Sequence, residues 1–415
     1  GGGGYGQRSL SLVYSKQFDQ KLDLLLWGMT YQADGQKKYL SSETGYTYEG
    51  DNGEHTILDG FKDRPSYDVG FKYGVGAFSF LGSARYCKYI EPFGAGGKIG
   101  RAYNYDDYAT LYGVGPGLGS RFLHLGVTYE RDLSENTTFQ LRSYYDEGQI
   151  QVHLITDPDN LNFAAPGWMD WDVGTSIQMQ SVKNLGPFGV ANIIVGGQIE
   201  RMKVFDSYNP SGTGGKWTAF AVSEQKLLEL GSEDVYSGFS QIKNRIGEKL
   251  ILNVGFRFDN KKRLRGPRIS NLSPRLALIY LANDNFDMKV SYSQSFVDAP
   301  YWYRYNNLLA YSGSENLNPE ILSAMQIIST VSSPDKKFNN SLTFFVNRLT
   351  DFLYRDNEAT GDEPRYINAG GLRSWGLENE FAFADEAYSL RTNSTYQRVI
   401  SADRYPVIEN RIMNV

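Results

Sequence analysis

Between Phe286 and Phe296 the chain alternates. Phe286, Met288, Val290, Tyr292 and Phe296 fall on one parity, and Asp287, Lys289, Ser291, Ser293 and Ser295 on the other. A period of two is that of a β-strand with one apolar and one polar face. The pattern recurs in Leu250, Leu252, Val254, Phe256 and Phe258 against Asn253, Arg257 and Asp259. It recurs again in Leu123, Leu125, Val127 and Tyr129 against His124, Thr128 and Glu130, and in Trp375, Leu377, Phe381 and Phe383 against Glu378 and Glu380. Residues 275–281 and 193–195 are apolar on both parities. Either the apolar faces pack on a core and the polar faces meet water, or the apolar faces meet lipid and the polar faces a wet interior.

The spacing of these runs favours lipid. Short turns rich in Gly, Asn, Asp or Lys fall at 18–21, 74–77, 132–137, 183–189, 244–248, 282–285, 334–340 and 384–387. Between the resulting hairpins lie long connections at 33–65, 88–120, 147–172, 205–234, 297–321 and 355–372. Compact soluble domains keep most connections near 4–6 residues. Short turns on one side and long loops on the other are the layout of outer-membrane barrels. The expectation is an all-β, antiparallel transmembrane β-barrel with about 16 strands of about ten residues each, a length that suits a tilted membrane strand. Tyr14, Trp27, Tyr31, Phe78, Tyr86, Tyr145, Phe239, Tyr292, Trp375 and Tyr396 stand near strand ends, as interfacial girdles require. A soluble β-propeller also supplies many short strands, but no 40–50-residue motif repeats here.

Composition sharpens this picture in a few places. The 44 glycines, 30 tyrosines and 23 phenylalanines among 415 residues favour strands and turns. A balance of 42 basic against 47 acidic residues gives no electrostatic case for nucleic acid. Cys87 stands alone, so neither a disulfide framework nor a cysteine metal cluster is expected. A mean hydropathy of −0.43 argues against transmembrane helices but not against a barrel, whose apolar half hides at every second residue. Gly1, Gly2, Gly3 and Gly4 at one end and Asn414 and Val415 at the other read as internal cuts, so a partial chain is expected.

Four stretches resemble the barrel of TonB-dependent outer-membrane receptors. They are Ser273-Pro274-Arg275, Ser295-Phe296-Val297-Asp298-Ala299-Pro300, Asn316-Leu317-Asn318-Pro319-Glu320 and Asn368-Ala369-Gly370 followed by Gly376-Leu377-Glu378. In that family an "SPR" run, an "SF-x-AP" strand exit, an "NP-x-L-x-PE"-like loop and an "NAG…GLE" strand recur in this order. The loop motif is shortened here to a single Asn318-Pro319-Glu320, and residues 1–250 match in layout rather than motif. The resemblance implies a 22-stranded barrel in the bacterial outer membrane, filled by an N-terminal plug. Residues 1–415 then form part of that barrel, without the plug and the terminal strands, and Arg257, Asp287, Lys289, Glu378 and Glu380 line the lumen. It also implies active import of a large or scarce nutrient (ferric siderophore, haem, cobalamin or glycan), with energy relayed by the TonB complex. A passive channel or surface adhesin built on a smaller barrel is the alternative.

Residues for catalysis are sparse. No catalytic constellation and no resident cofactor are expected. The histidines are His55, His124 and His153, with His124 on a polar strand face; exposed loop histidines could serve as haem ligands. Asp106-Asp107, Asp157-Pro158-Asp159-Asn160 and Asp170-Trp171-Asp172 are acidic enough for calcium but lack EF-hand spacing, so no metal site is assigned. The glycine runs at 94–98 and 113–119 lack the strand–loop–helix context of a phosphate cradle. Aromatic outer loops are the stronger candidates for small-molecule or glycan binding: Tyr103, Tyr105, Tyr108 and Tyr112; Trp168 and Trp171; and Tyr301, Trp302, Tyr303, Arg304 and Tyr305. Interfacial packing of the same rings is the competing account. Lys261, Lys262, Arg263, Arg265 and Arg268 form a basic loop suited to an anionic ligand or to the phosphates of lipopolysaccharide. Outer-membrane lipid and lipopolysaccharide are therefore expected partners.

Overall fold

The computed structural model describes residues 2, 7–19, 22–32, 37–38, 56–57, 66–89, 117–157, 162–213, 216–219, 226–308, 311–356, 360–361, 363–402 and 412–413. Its long strands are β1 (Arg8–Asp19), β2 (Leu22–Gln32), β3 (Ser66–Val75), β4 (Phe78–Tyr89), β5 (Gly117–Ser134), β6 (Thr137–Asp157), β7 (Gly167–Asn184) and β8 (Val190–Tyr208). There follow β9 (Gly231–Ile246), β10 (Leu250–Lys262), β11 (Ile269–Asn283), β12 (Phe286–Val297), the one-turn helix α1 (Tyr301–Tyr305), β13 (Glu320–Ser332), β14 (Phe338–Thr350), β15 (Leu372–Ala384) and β16 (Ser389–Ala402). All eight short turns read from the sequence fall between consecutive strands of this series. Their chemistry is local. Asn283 accepts the Asn285 N–H at 2.9 Å, an Asx turn, and Gly76 and Gly247 supply the positive φ of tight hairpins. Among the described residues no helix is long and apolar enough to cross a membrane, which leaves a strand-built span open.

The chain folds as two compact units. In the first (Gly1–Glu130, Leu141–Thr175, Glu200–Glu233), β1 to β5 pair in sequence order, each antiparallel to the next. In the second (Arg131–Gln140, Ser176–Ile199, Asp234–Val415), β9 to β16 do the same without a break.

The second unit's register explains the alternation. Ile242, Val254, Leu276, Tyr292, Met325, Val346 and Trp375 are opposed one after another across seven strands. Met325 is 48% exposed and Tyr292 39%. A parallel row holds Leu252, Leu278, Val290, Ile327, Phe344 and Leu377. Large apolar side chains exposed or half-buried in continuous rows, with no described residue packed over them, form a surface for hydrocarbon rather than water. Asn253, Ala277, Ser291, Gln326 and Gly376 occupy the other face. There the Phe345 ring lies over Gly376 and fills the space that a Cβ would need.

Two expectations change. β5 to β8 run to 18, 21, 18 and 19 residues, well beyond about ten, so 147–157 and 167–172 continue the ladder instead of forming a loop. Past the apolar belt both faces of a strand are wet, and the alternation that marks a strand fades. Trp27 and Phe239 also leave the girdle. The Trp27 indole N–H donates to Asp68 at 2.8 Å, and Phe239 lies over Gly196 on the parity of Ser237 and Gln241. Tyr31 shares the inward parity of Trp27, whereas Tyr14, Phe78, Tyr292 and Tyr396 are exposed as a girdle requires.

Candidate functional site

The outer end of the second unit is built around one carboxylate. β12 ends at Val297, and the next residues turn into α1 behind Pro300, whose fixed φ of −52° and missing N–H suit the start of a helix. The turn is closed by the Tyr303 N–H on the Pro300 carbonyl at 2.9 Å. It carries Arg304 inward. The Arg304 guanidinium donates to the Ala299 carbonyl at 2.8 Å and to the Tyr305 hydroxyl at 2.7 Å, and lies 3.6 Å from Asp298. Tyr305 in turn donates to the Arg265 carbonyl at 2.8 Å. Asp298 also receives Lys261 at 2.8 Å and Arg263. Burial raises the Asp298 carboxyl, but the Arg263 hydrogen bond and the charges of Lys261 and Arg304 outweigh it and hold the group below the ordinary carboxylate range.

An aromatic layer packs beside this hub. The rings of Tyr303 and Tyr366 stack at 4.1 Å and 14°. The Trp302 indole N–H reaches the Tyr366 hydroxyl at 3.2 Å, and Tyr311 takes Trp302 edge-on at 6.0 Å and the Arg355 guanidinium over its ring at 4.1 Å. Beneath them Ala299, Leu317 and Tyr366 form a small buried core.

The sequence motifs staple these loops together. Asn368 accepts the Asn318 N–H at 2.8 Å and donates to the carbonyls of Asn318 at 3.0 Å and Asp351 at 2.7 Å. Glu320 accepts the Leu353 N–H at 2.7 Å. Residues from three separate stretches thus satisfy one another's backbone groups, which a loop exposed to water cannot otherwise keep fixed.

The ligand candidates are therefore distributed unevenly. Arg304 and Tyr305 are each 2% exposed and support the site from beneath, whereas Tyr301, Trp302 and Tyr303 are half-buried at its surface. Trp168 and Trp171 lie on opposite faces of β7. Trp168 shares its parity with Asp170 and Gly174, and Trp171 with the exposed Val173, Ile177 and Met179. Burial pushes the Asp170 carboxyl up, against the lowering effect of the Trp168 hydrogen bond. Tyr103, Tyr105, Tyr108, Tyr112, His55 and the side chain of His153 lie outside the described residues. His124 Nδ1 lies 2.5 Å from Asp146 on the inner face of β5. No group of three or more His, Cys, Asp or Glu is placed to hold a metal ion among the described residues. The basic loop is largely neutralised: Lys261 and Arg263 pair with Asp298, Arg265 pairs with Glu315 at 2.8 Å, and Lys262 and Arg268 stay exposed.

The sequence put Arg257 and Asp259 on one polar face, but not their pairing or the cavity beside them. Arg257 clasps Asp259 through Nε at 2.8 and 3.1 Å and donates to Ser237 at 2.8 Å. Beside it, Gln178, Gln241, Ser273, Arg275 and Phe239 line a cavity of about 460 Å³. The available signal was the R-x-D spacing, which puts both charges on one strand face.

The model of the family described as TonB dependent receptor-like, beta-barrel, matches residues 45–415. Among solved structures, the siderophore receptor PirA from Acinetobacter baumannii superposes with a TM-score of 0.66 at 13% identity, over 95% of this chain and 60% of that one. A variant of the ferric enterobactin receptor PfeA from Pseudomonas aeruginosa gives 0.65 at 14% identity, over 96% and 60%. The RagAB peptide importer gives 0.62 at 11%, over 95% and 50%. At these identities the likeness is one of fold, and the chain spans 50–60% of the length of these three proteins. No curated protein sequence matches.

Proposed function

Because the chain belongs to the TonB-dependent receptor β-barrel family, we propose that it is the barrel part of an active import receptor that takes up a ferric siderophore. The family places it in the outer membrane of a Gram-negative bacterium, among receptors and transporters rather than enzymes. In this reading, ligand meets the outer end of the barrel. The TonB complex, acting through an N-terminal plug, supplies the energy for release to the periplasm.

The observation that carries the ligand reading is the stapled loop assembly. Tyr301, Trp302 and Tyr303 present aromatic surface on a scaffold fixed by Asp298, Arg304 and Tyr305. Rings held in place bury ligand area at low entropic cost, and flat aromatic chelators stack well on them. Within the first unit, Trp168 on β7 and the loop residues Tyr103, Tyr105, Tyr108 and Tyr112 are proposed separately as ligand contacts. PirA and PfeA are described as siderophore receptors, which supports this class over haem, cobalamin and glycan.

The test is optical. Full-length protein extracted in detergent from iron-starved cells should carry, or bind on addition, a ferric catecholate charge-transfer band and show quenched tryptophan emission. Replacing Trp302 with Ala should weaken that binding about tenfold, within the range measured for interface aromatics. A colourless protein whose emission is indifferent to ferric siderophores, but which binds peptides, contradicts the ligand class.

A further inference from the structure

Two arginines lie opposite one another on the lipid-facing side. On β14, Leu342, Phe344, Val346 and Arg348 share the outer parity; on β15, Leu377, Trp375 and Arg373 do. The register opposes Leu342 to Asn379, Phe344 to Leu377, Val346 to Trp375 and Arg348 to Arg373. Both arginines are exposed, and outside the backbone ladder neither side chain makes a hydrogen bond or ion pair with any described residue. Directly opposed positions on one face hold their Cβ atoms about 4.5–5.5 Å apart, where like charges repel and destabilise the sheet. Their place is specific. They stand one step beyond the row of Val254, Leu276, Tyr292, Met325, Val346 and Trp375, on the side of the long outer loops. Trp375, at the end of that row, sits 6.2 Å from Phe344 and 5.6 Å from Tyr396. The row that carries the Tyr292 and Trp375 rings is therefore followed outward by the paired guanidinium groups, in the order interface, headgroup.

We propose that Arg348 and Arg373 together bind the phosphate of an outer-leaflet glycolipid, whose acyl chains lie along Phe344, Val346 and Met325. Two guanidinium forks aimed at one oxyanion form short, charge-assisted bonds, and the phosphate removes the repulsion between them. The site differs from the basic loop at 261–268, where Asp298 and Glu315 already compensate three of the five cations. The proposal rests on the outer-membrane reading but not on any choice of imported ligand. If that reading is wrong, the protein is soluble without detergent before any lipid is added.

The experiment uses the full chain, purified in detergent and stripped of lipid. It is titrated with a phosphorylated glycolipid (lipid A), with the same lipid dephosphorylated, and with inorganic phosphate. Melting temperature and lipid phosphorus bound per protein are read. The phosphorylated lipid should bind about 10- to 100-fold more tightly than its dephosphorylated form, the range for hydrogen bonds to charged groups, and inorganic phosphate should have no effect at the same concentration. The double variant Arg348→Gln, Arg373→Gln should lose that preference. Arg373→Glu should lose it too, while melting higher than wild type in lipid-free detergent, because the new carboxylate pairs with Arg348. Retention of the phosphate preference in both variants, or an equal response to inorganic phosphate, overturns the proposal.

Discussion

Aromatic residues are concentrated in two regions of the second unit, under opposite rules. In the outer loops, Tyr303, Tyr366, Trp302 and Tyr311 pack against one another over Ala299 and Leu317, and the Trp302 indole N–H finds the Tyr366 hydroxyl. On the lipid face, Tyr292 and Trp375 stand in one row with Met325 and Val346, and Phe344 stands in the row beside it. The loop region is a small soluble core, held by burial and by a charge hub. The strand region is held by its ladder and leaves its apolar area to the membrane. The same residue types therefore carry binding chemistry in one place and solvent matching in the other.

The comparison is broken most severely at Asp298. Replacing it with Ala leaves Lys261, Arg263 and Arg304 facing one another, two of them fully buried. Losing one partner of a buried charge cluster costs about 3–5 kcal/mol. Loops 298–319 and 351–371 should then open to protease and exchange their amides, while the strands stay folded. The pH dependence follows from the lowered Asp298 pKa. Because the folded-state value lies below the unfolded one, the stabilisation is complete above about pH 4 and is lost as pH falls through the lower, folded value. Loop protection should therefore be the same at pH 7 and pH 5.

A smaller effect is expected on the other side of the comparison. Met325→Arg puts a charge into the lipid-facing row and should lower unfolding stability in liposomes by about 2–4 kcal/mol. Gln326→Arg, one residue on and facing inward, should change it little, and the loops should be untouched by either. Smallest of all, Tyr366→Phe removes the acceptor of the Trp302 indole and should loosen the loops by about 1 kcal/mol, seen as faster amide exchange at Trp302.

Much of this division was legible in the sequence, and the exceptions have physical causes. The alternation and the turn residues locate the hairpins, because lipid enforces a strict period of two over each membrane-crossing segment. The outward extensions of β6 and β7 were unreadable since water wets both of their faces. Trp27 and Phe239 look like interfacial aromatics by position, but parity with Asp23 and with Ser237 already turns them inward. The motif residues Asn318, Glu320 and Asn368 could be recognised but not explained until their mutual hydrogen bonds were seen. Arg304 reads as a ligand contact from composition, and only packing shows it buried beneath the rings. The Arg348–Arg373 pair was out of reach, because a long loop separates two unremarkable arginines that only the register sets side by side.

The most direct test of the two-faced strand is a nitroxide scan of residues 322–328 on β13 in liposomes, after replacing the exposed Cys87 with Ser. Labels at 325 and 327 should collide mainly with dissolved oxygen, and labels at 324, 326 and 328 mainly with a water-soluble nickel chelate, alternating residue by residue. Uniform accessibility along the strand, or alternation with the opposite phase, would contradict the assignment of Tyr292, Met325 and Val346 to lipid.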